Sequence, residues 1–312
     1  MYLDKVEAKT RNKSKTYEQI SGLLMSIAPV LGFILFGFVP MLLAIVMAFC
    51  KMEGVTLVGA TWTGLGNFKL VVEDGLFWKS IGNTFFYALS LPVCLVISLV
   101  VSFLLTKDVK GKKIFRTIYF IPYVCSVVAV VLMWGWIFNP TYGVINNLMY
   151  EFGYQGDRIQ WVSEEKYYRI IVLVMGVWGG CGYSIILYSA ALTNVNSTFY
   201  EAAKIDGANP FQIFFHITLP AISPTTFYLL ITGLIGALQS FASTHMLGSV
   251  GGSTSQTGPN DAGLTIGFYI YREAFTYYDM GQACSAAWIL AIIIMIITII
   301  NFKLSNKWVS YD

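Results

Sequence analysis

The chain has 312 residues, of which 56% are apolar, 16% aromatic and only 12% charged, about half the charged share of a soluble globular domain. That balance excludes a water-soluble enzyme or binding module as the first reading and points to lipid as the main solvent. The formal net charge of +3 calls for no nucleic-acid partner, because the basic residues cluster as membrane topology requires.

Apolar runs long enough to cross a hydrocarbon core, about 20 residues each, lie near 21–49, 84–106, 117–138, 169–192, 222–243 and 282–301. None alternates apolar and polar residues as a membrane β-barrel strand would, and a chain in lipid must satisfy its own backbone hydrogen bonds. The expected fold class is therefore an all-α integral membrane protein with about six transmembrane helices, residues 21–312 forming the membrane domain after a segment 1–20. The first run follows basic residues, as a signal peptide would. It is too long for one, contains Pro29 and Pro40 and lacks a small-x-small cleavage site, so it is read as a retained anchor.

Between the first and second runs lies 50–83, between the third and fourth 139–168, and between the fifth and sixth 244–281. Turn signals such as Asn139-Pro140, Gly251-Gly252 and Gly258-Pro259-Asn260 mark these longer connections. Gly64-Leu65-Gly66 neither follows a strand nor continues into a dinucleotide fingerprint, and is read as a turn. Thirteen basic residues lie on the side of the two termini and of the 2–3 and 4–5 connections, including Lys5, Lys9, Arg11, Lys13, Lys15, Lys107, Lys110, Lys112, Lys113 and Arg116; seven lie on the other side. Both termini are therefore expected in the cytoplasm. Cys50, Cys94, Cys125, Cys181 and Cys284 are odd in number and without CxxC spacing, and His216 and His245 are far apart, so neither set predicts a metal site.

The connection 193–221 is long and internally patterned. Glu201, Ala202, Ala203 and Lys204 are strong helix formers, Gly207 supplies a stop, and Asn209-Pro210 is a cap with proline in a first helical turn. Two short helices with a corner at Gly207 are predicted, the second carrying Phe211, Phe214, Phe215 and Ile217 and closed by Pro220. Such an apolar helix is too short to span a bilayer. It either lies on the membrane surface or offers a docking patch to another protein.

Here the sequence resembles the inner-membrane permease subunits of binding-protein-dependent ABC importers, whose signature is Glu-Ala-Ala, three residues, Gly, nine residues, Ile, one residue, Leu-Pro. Glu201, Ala202, Ala203, Gly207, Ile217, Leu219 and Pro220 meet every position of it. GLGNF at 64–68, FWKSIGNT at 77–84, KGKKIFRTIYFIPYV at 110–124, WGWIFNPTYGVINNL at 134–148 and YEAAKIDGANPFQIFFHITLP at 200–220 resemble the carbohydrate branch, in particular short six-span relatives of the maltose permease subunit MalF. The resemblance implies a type I ABC importer fold in the bacterial cytoplasmic membrane. It implies that 193–221 couples the spans to a cytoplasmic ATPase, with Glu201 offering a charge, Gly207 the corner, and Phe214 and Phe215 an apolar contact. The implied partners are a second permease subunit of the MalG type, two ATPase subunits or domains, and an extracytoplasmic solute-binding protein.

The chain itself has no P-loop and no set of paired catalytic groups, so ATP and Mg are expected on the partner ATPase and no cofactor here. An ion-coupled transporter would place ionisable residues inside its spans, and no Asp, Glu, Lys or Arg is read within them beyond Arg169 at the very edge of the fourth run. A charge-free passage suits a sugar, which binds through aromatic faces and polar groups. Trp178 and Tyr183 before the loop, and Gln239, Ser240 and Phe241 after it, are the candidate pathway residues, with Gly179, Gly180 and Gly182 leaving room beside Tyr183; ordinary helix packing explains the same residue types equally well. The alternative cargo is a glycerol phosphate or another small solute.

Overall fold

The computed structural model describes residues 19, 21–52, 54, 56, 59–106, 111–250 and 256–310. The segment 1–20 apart from Gln19, together with Lys107, Lys110 and the Gly251-Gly252 turn, lies outside them. Helices dominate. Among the described residues four are continuous and apolar enough to cross a membrane, and two bent pairs bring the number to six if each pair is one crossing.

The first long helix, α1, runs Ser21–Ala48 and includes a wide turn at Ile34–Phe38. The chain then forms a two-residue hairpin pairing β1, Cys50–Lys51, with β2, Thr61–Trp62, and a short α2, Gly66–Glu73. Next come α3, Gly75–Ala88, and α4, Ser90–Thr106, which form one 32-residue span jointed at Leu89. This crossing begins well before residue 84, because Asp74 caps it by accepting a hydrogen bond from the Leu76 amide at 2.8 Å.

The third apolar run is not one straight helix. It divides into α5, Lys112–Val124, and α6, Val127–Ile137, with a 99° bend between their apolar parts. Pro122 cannot donate to the preceding turn, and Cys125 and Ser126 take extended ψ values of 143° and 135°. Composition alone reads the run as continuous because no charged residue interrupts 117–138.

After α7, Val144–Glu151, comes the 30-residue α8, Glu165–Asn194, long and apolar enough to cross a membrane. It packs most extensively along α4. Small residues allow close approach to both neighbours: a β-carbon on Gly182 would stand 2.5 Å from the Tyr119 carbonyl oxygen of α5, and one on Gly176 would stand 2.9 Å from Ser90 Oγ of α4. Ser102 donates to the Ile185 carbonyl at 2.9 Å, reinforcing the same seam.

Two short helices follow, α9, Ser197–Ile205, and α10, Pro210–Ala221. A 62° bend leads from α10 into α11, Ser223–Leu238. Pro220 does not close the short helix. It is absorbed near the end of α10 after a wide turn at Phe214–Thr218, where the Leu219 amide reaches back to the Phe214 carbonyl, and the direction changes at Ile222 instead. The fifth crossing is likewise shorter than its apolar run, because α11 stops at Leu238 and Gln239 and Ser240 are unwound before α12, Ala242–Val250. The short α13, Ile266–Phe275, and the final long α14, Met280–Ser305, complete the chain.

Polar knots on the side opposite α9 and α10 hold the span ends in register. Asn83 donates to the Asp261 and Leu264 carbonyls, Tyr87 to that of Ala262, and buried Tyr168 to that of Thr244, all at 2.7–3.0 Å. Tyr269 donates to Asp74 at 2.8 Å and accepts from Gln282 at 2.9 Å. Arg169 pairs with Glu165 at 2.8 Å and donates to Asn83 at 3.0 Å; these ionic residues sit at the end of α8, where its apolar run begins. Helix α1 differs from the rest: no residue of its most apolar window is buried, with Phe36 86% exposed, and its end is tied down where Ser285 and Asn67 donate to the Ala48 carbonyl.

Candidate functional site: a cleft between spans and a helical corner

The corner is built from its own sequence. Asn196 opens α9, its side chain accepting from the Thr198 amide at 3.0 Å. At the other end Gly207 has φ +76°, its amide bonds the Lys204 carbonyl and the Ala208 amide bonds the Ala203 carbonyl. This is the paired closure of a Schellman turn, which glycine adopts without steric cost. Asn209 and Gln212 then exchange reciprocal hydrogen bonds at 2.8 and 2.9 Å, a capping box around Pro210. Tyr200 and Thr218 hydroxyls, 3.2 Å apart, tie the two helices together.

The corner's apolar residues divide between two surfaces. Phe214 is half-buried and meets Phe103 of α4 edge-on at 5.4 Å, so its ring packs on the chain's own span. Ala203 is buried, Ile217, Leu219 and Pro220 are half-buried, and Glu201 and Ala202 face outward with Phe215. The rings and branched side chains that project furthest are Phe211, 77% exposed, and Ile205, 86% exposed. Ile205 carries no signal in the sequence, because an exposed and a buried isoleucine in a short helix read alike. A depression of about 420 Å³ lies between the helices, walled by Asp206, Gly207, Gln212 and His216.

The second feature is a cleft of about 370 Å³ between α4, α8 and α11. Tyr183 and Ser184 line it together with Tyr123, Thr232 and Ser240, and Gly176, Gly179, Gly180, Gly233 and Gly236 hollow it. The glycines are not equivalent. A β-carbon on Gly179 or Gly236 would meet nothing within 4 Å, whereas Gly182 is spent on the contact with α5. None of the lining residues is Asp, Glu, Lys, Arg or His.

Of the five pathway candidates, the structure brings together Tyr183 and Ser240. Trp178 turns into a separate apolar groove of about 660 Å³ beside α5, where it meets Trp134 edge-on at 5.7 Å. Gln239 is exposed where α11 unwinds and is not in the cleft lining. Phe241 belongs to an aromatic cluster with His245, Phe268 and Tyr271, at ring distances of 5.4, 5.7 and 4.9 Å. Burial there lowers the His245 imidazole below its ordinary range, which favours the neutral ring. Tyr123 and Tyr228 escape the sequence reading; nothing in the spacing of residues this far apart announces that they converge on Tyr183.

Residues 95–310 match the family described as "Binding-protein-dependent transport system inner membrane component". The chain belongs to this family. It is 32% identical over 309 residues to the probable ABC transporter permease protein YesP of Bacillus subtilis, covering 98% of this chain and 97% of the relative. It is 29% identical over 302 residues to the lactose transport system permease protein LacF of Rhizobium radiobacter, covering 96% and 98%. A chain of a bacterial alginate ABC transporter, solved in complex with an alginate pentasaccharide-bound periplasmic protein, superposes with a TM-score of 0.78 at 25% identity, covering 91% of this chain and 93% of that one. The fold is thus that of an ABC importer permease subunit, an inner-membrane transport component with multiple apolar helices.

Proposed function

We propose that this permease subunit imports a neutral sugar or oligosaccharide, with the cleft at Tyr183 forming part of the path and the corner at Gly207 receiving the ATPase. The observation that carries the cargo assignment is the absence of ionisable side chains other than tyrosine and cysteine from the cleft lining: tyrosine rings and hydroxyl groups suit the C–H faces and hydroxyls of a sugar, and no fixed charge repels or traps it. The lactose permease among its relatives supports this reading. An anionic saccharide is the second reading, favoured by the likeness to an importer of the acidic polysaccharide alginate, and it would need cationic groups from the second permease subunit. Uptake by the complete complex in liposomes, measured with labelled neutral and acidic oligosaccharides, separates the two. Accumulation of a neutral glycoside, with acidic ones excluded, is the expected result; uptake of the acidic ones alone overturns it.

The complex comprises a second permease subunit, two ATPase subunits that bind ATP and Mg, and an extracytoplasmic binding protein. The basic residues around the first span and between the second and third support a cytoplasmic location for both termini and the 193–221 loop. Single cysteines introduced at Lys112 and Glu201 in a background without native thiols should react with impermeant maleimide only from the cytoplasmic side. Labelling of either from outside would reverse the topology.

A further inference from the structure

Where the cleft approaches the corner loop, three tyrosines from three helices converge. The Tyr183 ring of α8 stacks on Tyr123 of α5, centroids 5.2 Å apart and planes inclined by 20°. The Tyr183 hydroxyl lies 3.1 Å from that of Tyr228 on α11. Tyr123 and Tyr228 are each about half exposed; Tyr123 and Tyr183 line the cleft and Tyr228 stands beside it, so the cluster is a surface feature and not a core contact.

Its position is informative. Tyr123 stands at the end of α5, immediately before the 99° bend, and Tyr228 stands in the second turn of α11, just after the 62° bend that joins this helix to the corner. Tyr183 lies in the half of the long α8 nearer the corner, about 16 Å from that end at 1.5 Å per residue. Two jointed helices therefore each bring a tyrosine to Tyr183 of one continuous helix. Above them the facing surfaces of α8 and α11 are hollowed by glycine, and the cleft extends from Tyr183 to Ser240. Tyr228 immediately precedes Leu229, the first residue of α11 in the cleft lining, so a movement of the corner carried along α11 reaches Tyr228 before it reaches the α11 wall of the cleft.

We propose that Tyr123, Tyr183 and Tyr228 form an uncharged constriction across the corner end of the cleft, and that Tyr228 is a positioning residue whose hydroxyl holds the Tyr183 ring there until movement of α11 parts the pair. The inference rests on the transport reading above and deepens it by naming the element that opens. A hydroxyl pair fits such a constriction, because a neutral hydrogen bond between exposed hydroxyls contributes little net free energy. That is enough to fix a ring and weak enough to break in each cycle, whereas an ion pair would leave two charges in the path of the cargo.

The test uses the complete complex with a chain whose native cysteines are replaced. Tyr183→Cys and Tyr228→Cys are combined and joined with a bifunctional maleimide of about 8–10 Å span, a length chosen because two tyrosine side chains meeting at their hydroxyls separate the backbones by more than a disulfide can bridge. Bridging, verified by mass spectrometry, should reduce both transport and ATP hydrolysis at least ten-fold relative to the unbridged double variant, with little effect of the reagent on either single variant. Hydrolysis at the unbridged rate overturns the proposal. Because hydrolysis is read as well as uptake, arrest by the bridge with no glycoside uptake by the parent complex would reject the cargo assignment and retain the constriction. Tyr228→Phe and Tyr183→Phe keep the rings and remove the tie. Each should change the hydrolysis rate a few-fold in the same direction, and the double variant should change it no further; additive effects, or none, overturn the tie.

Discussion

Gly207→Val should give a permease that inserts and assembles its spans but recovers at least ten-fold less ATPase subunit in pull-down, with loss of substrate-stimulated hydrolysis. Gly207 stands at φ +76°, where a branched side chain costs on the order of 1 kcal/mol or more. The amides of Gly207 and Ala208 close the end of α9 through the same turn, so the strain is relieved by breaking that closure and swinging α10 away. The added side chain meets no neighbour within 4 Å, which makes the backbone and not a clash the origin of the effect. Glu201→Lys, at an exposed site, should weaken capture by reversing a charge without touching the turn. Thr193, whose hydroxyl merely bonds the Ser189 carbonyl one turn back, is the control, and Thr193→Ala should be milder than both. Parental capture and hydrolysis by Gly207→Val would reject the corner as the ATPase contact.

The second large effect is expected at Gly182, where the consequence is structural. The β-carbon of any other residue would lie 2.5 Å from the Tyr119 carbonyl oxygen and 3.3 Å from the Phe120 backbone. No flexible side-chain end can give way there. Gly182→Val should therefore push α5 off α8, at a cost of about 1–3 kcal/mol or more by the general experience of overpacked interiors, and lower both the yield and the thermal midpoint of the assembled complex. Gly179→Val faces open cleft and should assemble normally while impairing transport. Equal stability of the two variants in detergent, followed by size-exclusion and thermal-shift measurements, would contradict the division between packing and path.

The contrast between these glycines marks how far the sequence can be read. Span number, helical class and the existence of two short helices at 193–221 are legible because they follow from run length, backbone satisfaction and local stop signals, each confined to a few consecutive residues. The bend at Cys125 is not legible, since Pro122 in a transmembrane run is as compatible with a mild kink as with a right-angled turn. Nor is the orientation of individual side chains. Trp178 and Tyr183 are five residues apart on one helix, close to 140° around its axis at 3.6 residues per turn, and so line different hollows. Phe214 and Phe215 are adjacent, and only one can face away from Phe103. The residue types for a path and a docking surface are present in the sequence; which of them share a surface depends on how α4, α8 and α11 settle against one another.

The corner also bears on how the complex comes together. Both short helices finish their own ends, through Asn196, the glycine turn and the Asn209–Gln212 box, and the Tyr200–Thr218 contact sets the angle between them. On the proposed reading of the corner as the ATPase contact, an incoming ATPase subunit meets helices already closed at their ends and has no segment to order on arrival, so the entropy of folding does not count against the affinity. Association should then proceed at the pace of collision and orientation, and subunits should exchange without the permease passing through an unfolded loop.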